Sequence, residues 1–277
     1  MVACEALPFI KQTFGFHFPT ESIDFIDRVF EQVGDLFEGR YPGYQSSDTA
    51  YHDFTHTCEA TVAVACILDG HLRSGKPPTL SRRDFELTVV AGLLHDSGFI
   101  KEIGDVEGTG AKYTITHVQR SGEFSARFLD QFDVTPDEIR LVQLAIECTG
   151  VQVDVDSLPF RNKRERFIGS VVGTGDMLGQ MAAPDYPDKL DRLYREFAEA
   201  STYPDAKDSG IDTYTGVSDL MRKTRGFYEG YVLSMLETQW GGVHQVLEFH
   251  FEEGKNEYFQ SIAANLERID QMIQSNE

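Results

Sequence analysis

Four side chains in three separate stretches of the chain, His56, the pair His95-Asp96, and Asp176, are of types that together hold a cation. Asp176 lies in the apolar run Phe167 to Met181, where Gly169, Gly173, Asp176 and Gln180 fall on one helical face at steps of four, three and four. Glycine inside a helix costs about 1 kcal/mol relative to alanine, so a helix that keeps two on one face is expected to have a backbone or a ligand close by. An ionised aspartate in so crowded a place needs an arginine, a cap or a metal as partner. His95-Asp96 meets the same requirement at the end of the most apolar stretch of the chain. His56 follows Asp53, a candidate N-cap, and Ala60, Val64 and Ile67 carry its face toward a core. Each residue alone has an ordinary structural explanation; the ordered set of two imidazoles and two carboxylates reads as a metal site. Such ligands suit Mn, Fe, Zn or Mg, one or two ions, and leave positions free for an attacking water.

Helices must do the positioning, because apolar residues recur at three and four while strand patterns are sparse. From about Ser22 to Phe37 an amphipathic face of Ile23, Phe25, Ile26, Val29, Phe30, Val33 and Phe37 closes at Gly39. Asp84 to Leu94 is apolar on nearly every side once past Asp84 and Glu86, which predicts a central helix delivering His95 and Asp96 from its last turn. Thr135-Pro136-Asp137-Glu138 combines a capping hydroxyl, a first-turn proline and a returning acid, and the helix it opens should run to about Cys148. Lys255 to Ile273 reads as an amphipathic packing or dimer helix. Val151 to Asp156 is taken as a loop excursion, and Gly104 to Gly110, which lacks P-loop spacing, as a mobile surface loop. The expected fold class is all-α: one domain over 1–277, with a metal-binding core at about 45–185 and helices over 186–277 covering the site.

Composition narrows the partners. With 45 acidic against 25 basic side chains, a net charge of −20 repels nucleic-acid backbones and anionic lipid, while a bound dication still allows a small anionic substrate inside a cleft. The longest apolar runs, Thr61 to Leu68 and Leu87 to Leu94, fall well short of the roughly 20 residues that span a bilayer. Cys4, Cys58, Cys66 and Cys148 form no C-x-x-C pair and read as reduced thiols, and the first residues lack a signal-peptide pattern, so the expected location is cytoplasmic. Arg161, Lys163, Arg164 and Arg166 form the one dense basic patch, read as a solvated helix start with acid partners in preference to a phosphate-drawing patch. His17, His71, His244 and His250 are assigned no chemistry.

At His56, His95-Asp96 and Asp176 the chain resembles the HD superfamily of metal-dependent phosphohydrolases, named for the paired His-Asp. Tyr51-His52-Asp53 followed by His56 resembles the tyrosine-histidine-asparagine box of the cyclic nucleotide phosphodiesterases. That likeness implies His52 as general acid, His56 as ligand, and Tyr51 beside the substrate. Gly175-Asp176-Met177 with Leu190 to Phe197, and Gly226-Phe227 with Leu236 to Trp240, are similar to later segments of that family, the last to its nucleotide-clamping helix. Three departures stand out: Thr224 where the purine-binding glutamine would be, Phe99 in place of a second histidine, and Asp53 in place of asparagine. Phe227 keeps an aromatic face for a base. His117, ahead of Ser121, Glu123 and Phe124, resembles the helix by which many bacterial HD hydrolases bind a second metal, and Glu147 is a further candidate as ligand or water-holder.

The resemblance implies hydrolysis of a phosphodiester or phosphomonoester of a nucleotide-sized substrate by a metal-activated hydroxide, with Asp96 both ligand and catalytic group and His52 giving the leaving oxygen a proton. An HD-type di-iron oxygenase and a metal- or ligand-binding regulatory module remain open as alternatives.

Overall fold

A computed structural model of the chain describes residues 3–151, 153–206, 213–251 and 255–275. Among them eleven α-helices carry the architecture: α1 (Ala3–His17), α2 (Asp24–Phe37), α3 (Phe54–Ser74), α4 (Arg82–Leu94), α5 (His117–Leu129), α6 (Pro136–Glu147), α7 (Lys163–Ala182), α8 (Tyr186–Ala200), α9 (Val217–Phe227), α10 (Leu233–Glu237) and α11 (Glu257–Ser275). A single isolated bridge, Tyr44 with Glu102, is the only β pairing of the described residues. A π-turn over Tyr228–Val232 joins α9 to α10.

Short polar side chains set the helix starts. Asp53 accepts from the His56 amide at 2.9 Å and fixes the first turn of α3, as its position predicts. Thr135 and Glu138 form the expected reciprocal capping box with Pro136 in the first turn, and α6 ends at Glu147 with Cys148 as its C-cap. α4 begins two residues earlier than expected, because Ser81 caps it and Asp84 returns the bond to Ser81. α4 is buried on every side; its two acids survive there because Arg164 pairs with Asp84, and Arg82 and Arg83 with Glu86.

At the centre α3 and α7 lie against one another, antiparallel, with α1, α4, α6, α11 and the 3-10 turn Val243–Phe249 around them. Their closeness has a covalent cause. A Cβ on Gly175 would stand 2.9 Å from the Val64 backbone nitrogen, and one on Gly179 would stand 2.7 Å from Ala60 Cα. These contacts are backbone and cannot yield, so the glycine pair sets the spacing between the helix that bears His56 and the helix that bears Asp176. The glycines marked from sequence pack elsewhere: Gly173 against the Cys148 carbonyl and Trp240, Gly169 against the Phe160 and Cys148 side chains.

α11 packs within the chain against α7, α8 and α9. Val151–Asp156 is turn and the start of a 3-10 turn, Val155–Ser157, with residue 152 outside the described residues. The Gly104–Gly110 segment is a surface loop pinned near its C-terminal end: Lys101 donates to the Gly108 carbonyl at 2.7 Å, and Glu199 accepts from the Thr109 amide and hydroxyl at 2.5 and 2.7 Å. Cys58, Cys66 and Cys148 are buried free thiols, the side chain of Cys4 lying outside the described residues. Burial pushes the Cys58 and Cys148 thiols up to about 12. No helix of the described residues is long and apolar enough to cross a membrane.

Candidate metal centre

Four elements converge on one buried point. The first turn of α3 supplies His56, the end of α4 supplies His95 and Asp96, the middle of α7 supplies Asp176, and the start of α5 approaches with His117. His56, His95 and Asp96 are all at least 97 % buried and offer ligand atoms within 4.8 Å of one another, a group that could hold a metal ion. Asp176 joins them. His56 Nε2 is 3.2 Å from Asp96 Oδ2 and 3.4 Å from Asp176 Oδ1, and His95 Nε2 is 3.3 Å and 3.4 Å from the same two oxygens. Both carboxylates therefore border the same imidazole nitrogens, as the sequence reading requires.

The polarity of the nitrogens bears on what these atoms do. His95 Nδ1 sits 2.7 Å from the Gly92 carbonyl, which can only accept, so Nδ1 carries the hydrogen and a neutral His95 presents a lone pair at Nε2. Yet His95 Nε2 and Asp96 Oδ2 are both buried with no hydrogen-bond partner, a costly state unless something else occupies their lone pairs. Separations of 3.2 to 3.4 Å match the roughly 3.0 to 3.5 Å between ligand atoms about 2.1 Å from a common ion. The donor set and its orphaned lone pairs fit a divalent cation.

Without an ion the same crowding must be relieved by protons. Burial lowers the His56 pKa, but the Asp176 and Asp96 carboxylates more than reverse this and lift it to about 9; His95 is likewise raised well above its ordinary value. Burial opposes ionisation of Asp96 and Asp176, and the histidines overcome it, with His95 the largest influence on each; both carboxyls are held well below the usual range. Protons and a cation thus compete for the same atoms.

Around this centre the other candidates separate into two groups. His117 comes close: its Nδ1 donates to the Thr114 carbonyl at 2.7 Å, and its Nε2 stands 3.7 Å from Asp96 Oδ1, the oxygen other than the one facing His56 and His95. Burial lowers its pKa, favouring the neutral ring. Gly98 makes this approach possible, since a Cβ there would meet the His117 carbonyl at 2.0 Å. His52 also comes close, its ring centroid 5.5 Å from that of His56 and 6.2 Å from that of His117. Tyr51 is buried, packs on both His52 and His56, and donates its hydroxyl to Gln180 Oε1 at 3.1 Å.

No hydrogen bond, ion pair or ring contact among the described residues joins Glu147, Thr224 or Phe227 to the cluster. Glu147 is exposed at the end of α6, and no hydrogen bond or ion pair joins it to His117 or Asp96 among the described residues. Its carboxyl is raised by partial burial alone. Thr224 is buried and uses its hydroxyl on the Leu220 carbonyl of its own helix at 2.9 Å, and Phe227 stacks on Tyr231 at 5.1 Å. The three arginines of the basic patch are spent on acids: Arg161 on Asp137, Arg164 on Asp84, Arg166 on Asp156.

Sequence reasoning assigned no role to Glu196. This buried α8 residue accepts from His52 Nδ1 at 2.5 Å and from the Tyr51 and His52 amides at 2.6 and 3.3 Å. Burial pushes its carboxyl up, and His52 with the two amides brings it below the usual value. The signal was present: between Leu193 and Ala200, both buried, an acid occupies the inner face of an amphipathic helix and requires a partner. Comparison of the chain with protein-family models returns no match, and comparison with curated proteins returns none either.

Proposed function

We propose that the protein is an HD-type metal-dependent phosphohydrolase that cleaves a phosphoester of a nucleotide-sized substrate, using one or two ions of Mn, Mg, Fe or Zn. One observation carries the reading: His56, His95 and Asp96 bring three ligand atoms within 4.8 Å of one another, an Asp176 oxygen lies 3.4 Å from both imidazole nitrogens, and His95 Nε2 and Asp96 Oδ2 are buried without a hydrogen-bond partner. A divalent ion held there would lower the pKa of a coordinated water toward neutrality and offset charge on the phosphoryl oxygens. Asp96 turns its second oxygen toward His117, so one carboxylate can serve both halves of a two-ion site.

His52 is the proposed proton donor. Glu196 accepts a hydrogen bond from Nδ1, which leaves Nε2 as the atom that gives a proton to the leaving oxygen. Tyr51 closes the wall beside His52 and His56. The Thr224 hydroxyl is used within its own helix, and the substrate is proposed here by its phosphoester and not by its base.

The same bridging carboxylate favours a second reading, a di-iron oxygenase, and metal analysis separates the two. The decisive experiment measures bound metal and then hydrolysis of bis-para-nitrophenyl phosphate and a nucleotide panel with each ion, for wild type and Asp96→Ala. Metal-dependent turnover lost in the variant is expected; turnover unchanged in Asp96→Ala refutes the proposal. Two bound irons with no hydrolysis would favour the oxygenase, and bound metal with neither activity a regulatory module.

A further inference from the structure

Phe99 lies three residues after Asp96 and is 1 % exposed. Its ring stacks on His52, centroids 4.4 Å apart and planes 14° from parallel, and equally on His117, 4.4 Å and 18°. These two imidazoles come from different parts of the chain, and each makes its ring hydrogen bond at Nδ1, His52 to Glu196 and His117 to the Thr114 carbonyl. The Cβ–Cγ bond and one hydrogen bond at Nδ1 hold neighbouring atoms of each ring and leave the far edge, with Nε2, room to rock. A flat face pressed on the ring removes that freedom.

The backbone beneath Phe99 has little room to move. The Phe99 amide donates to the Asp96 carbonyl at 3.1 Å, closing the turn that carries the metal-facing aspartate. Between them Gly98 is bound to α5, its amide donating to Ser121 Oγ at 2.8 Å and its carbonyl accepting from Arg120 Nε at 2.7 Å. The aromatic wall is thus anchored both to the strand of chain bearing Asp96 and to the helix that His117 opens. With only two side-chain torsions, the ring transmits that position to both imidazoles.

We propose that Phe99 is a positioning residue, holding the His52 and His117 rings, each within 18° of its own plane and 32° from one another, at set distances from the His56, His95, Asp96 and Asp176 cluster. This rests on the reading of that cluster as a metal centre with His52 as proton donor. A leucine or methionine would fill much of the space, so what the aromatic ring adds is the flat face.

The test compares wild type with Phe99→Leu, Phe99→Met and Phe99→Tyr by NMR of the imidazole resonances and by steady-state kinetics with the metal present. A ring face at stacking distance shifts the facing protons upfield. Phe99→Leu is expected to abolish that shift on His52 and His117 and leave His95 unaffected, to lower kcat about 10-fold or more at nearly constant KM, and to leave the first metal equivalent bound. Phe99→Met gives the same signature if the leucine variant does not fold, and Phe99→Tyr restores wild-type behaviour by keeping the face. Imidazole shifts equal in wild type and Phe99→Leu, or a kcat within twofold of wild type in a folded variant, overturn the proposal. The NMR arm needs no turnover, so a wild type that hydrolyses nothing defeats the phosphohydrolase reading and still leaves the hold of Phe99 on the imidazoles to be decided by the shifts.

Discussion

Glu196 Oε2 lies 2.5 Å from His52 Nδ1, and its partner oxygen Oε1 accepts from the amides of Tyr51 and His52, so one buried carboxylate fixes both the ring and the backbone of the proposed acid. Glu199, one turn later on the same face, holds Thr109, so α8 restrains the segments that lead to both His52 and His117.

That arrangement predicts a loss that depends on the leaving group. Glu196→Gln should lower kcat about 10- to 100-fold for a phosphoester with a poor leaving group and much less for para-nitrophenolate, which departs without a proton. Equal losses across a leaving-group series would show that Glu196 acts on something other than proton donation.

Chelation should destabilise the protein. An ion bound only by the folded chain adds about 2.7 kcal/mol at one hundred times its Kd, so Tm should fall by several degrees in excess chelator and recover with added metal. Asp176→Asn should show the lower Tm with or without chelator. A wild-type Tm indifferent to chelator and metal argues against a resident cation.

Gly179→Ala should destabilise by about 2 kcal/mol despite alanine's better helix propensity, because the new Cβ meets the Ala60 backbone at 2.7 Å. The strain separates His56 from Asp176, so metal affinity should fall with it; calorimetric titration of wild type and variant measures both. A variant as stable as wild type would mean that α3 and α7 can part freely.

A second buried network gives a pH prediction independent of the metal. Asp69 accepts from His17 Nε2 at 2.7 Å, His250 Nδ1 at 2.7 Å and Arg73 Nε at 2.6 Å, tying α1 and the C-terminal region to α3. Burial pushes the Asp69 carboxyl up and these donors bring it well below the usual range; burial lowers His250, and Asp69 with Cys66 lifts it to about 9. The raised histidine adds stability that is full below its unfolded pKa near 6.5 and lost as pH rises through about 9. The depressed aspartate adds stability that is full above its unfolded value and lost as pH falls below it. Denaturant midpoints should therefore peak from about pH 4.5 to 6.5 and fall on either side. Asp69→Asn should lower the peak by about 3 kcal/mol and flatten both flanks; flanks as steep as wild type would place the titration elsewhere.

Residue types and spacings on the chain determined the helical class, the starts of α3 and α6, the burial of α4 and the four side chains that converge, because capping and amphipathic burial are local, and because two polar residues ending an apolar helix can persist only with a partner. The Asp84 capping box and the acid at Glu196 on the inner face of α8 were also local signals. Tertiary structure alone decided which glycines bring α3 to α7, that His117 and not Glu147 pairs with Asp96, that Phe99 bears on two imidazoles at once, and which acids, 10 to 80 residues away, pair with the arginines of the basic patch. Those outcomes depend on separations between helices, set by backbone contacts such as Gly179 against Ala60 that no periodicity within one segment encodes.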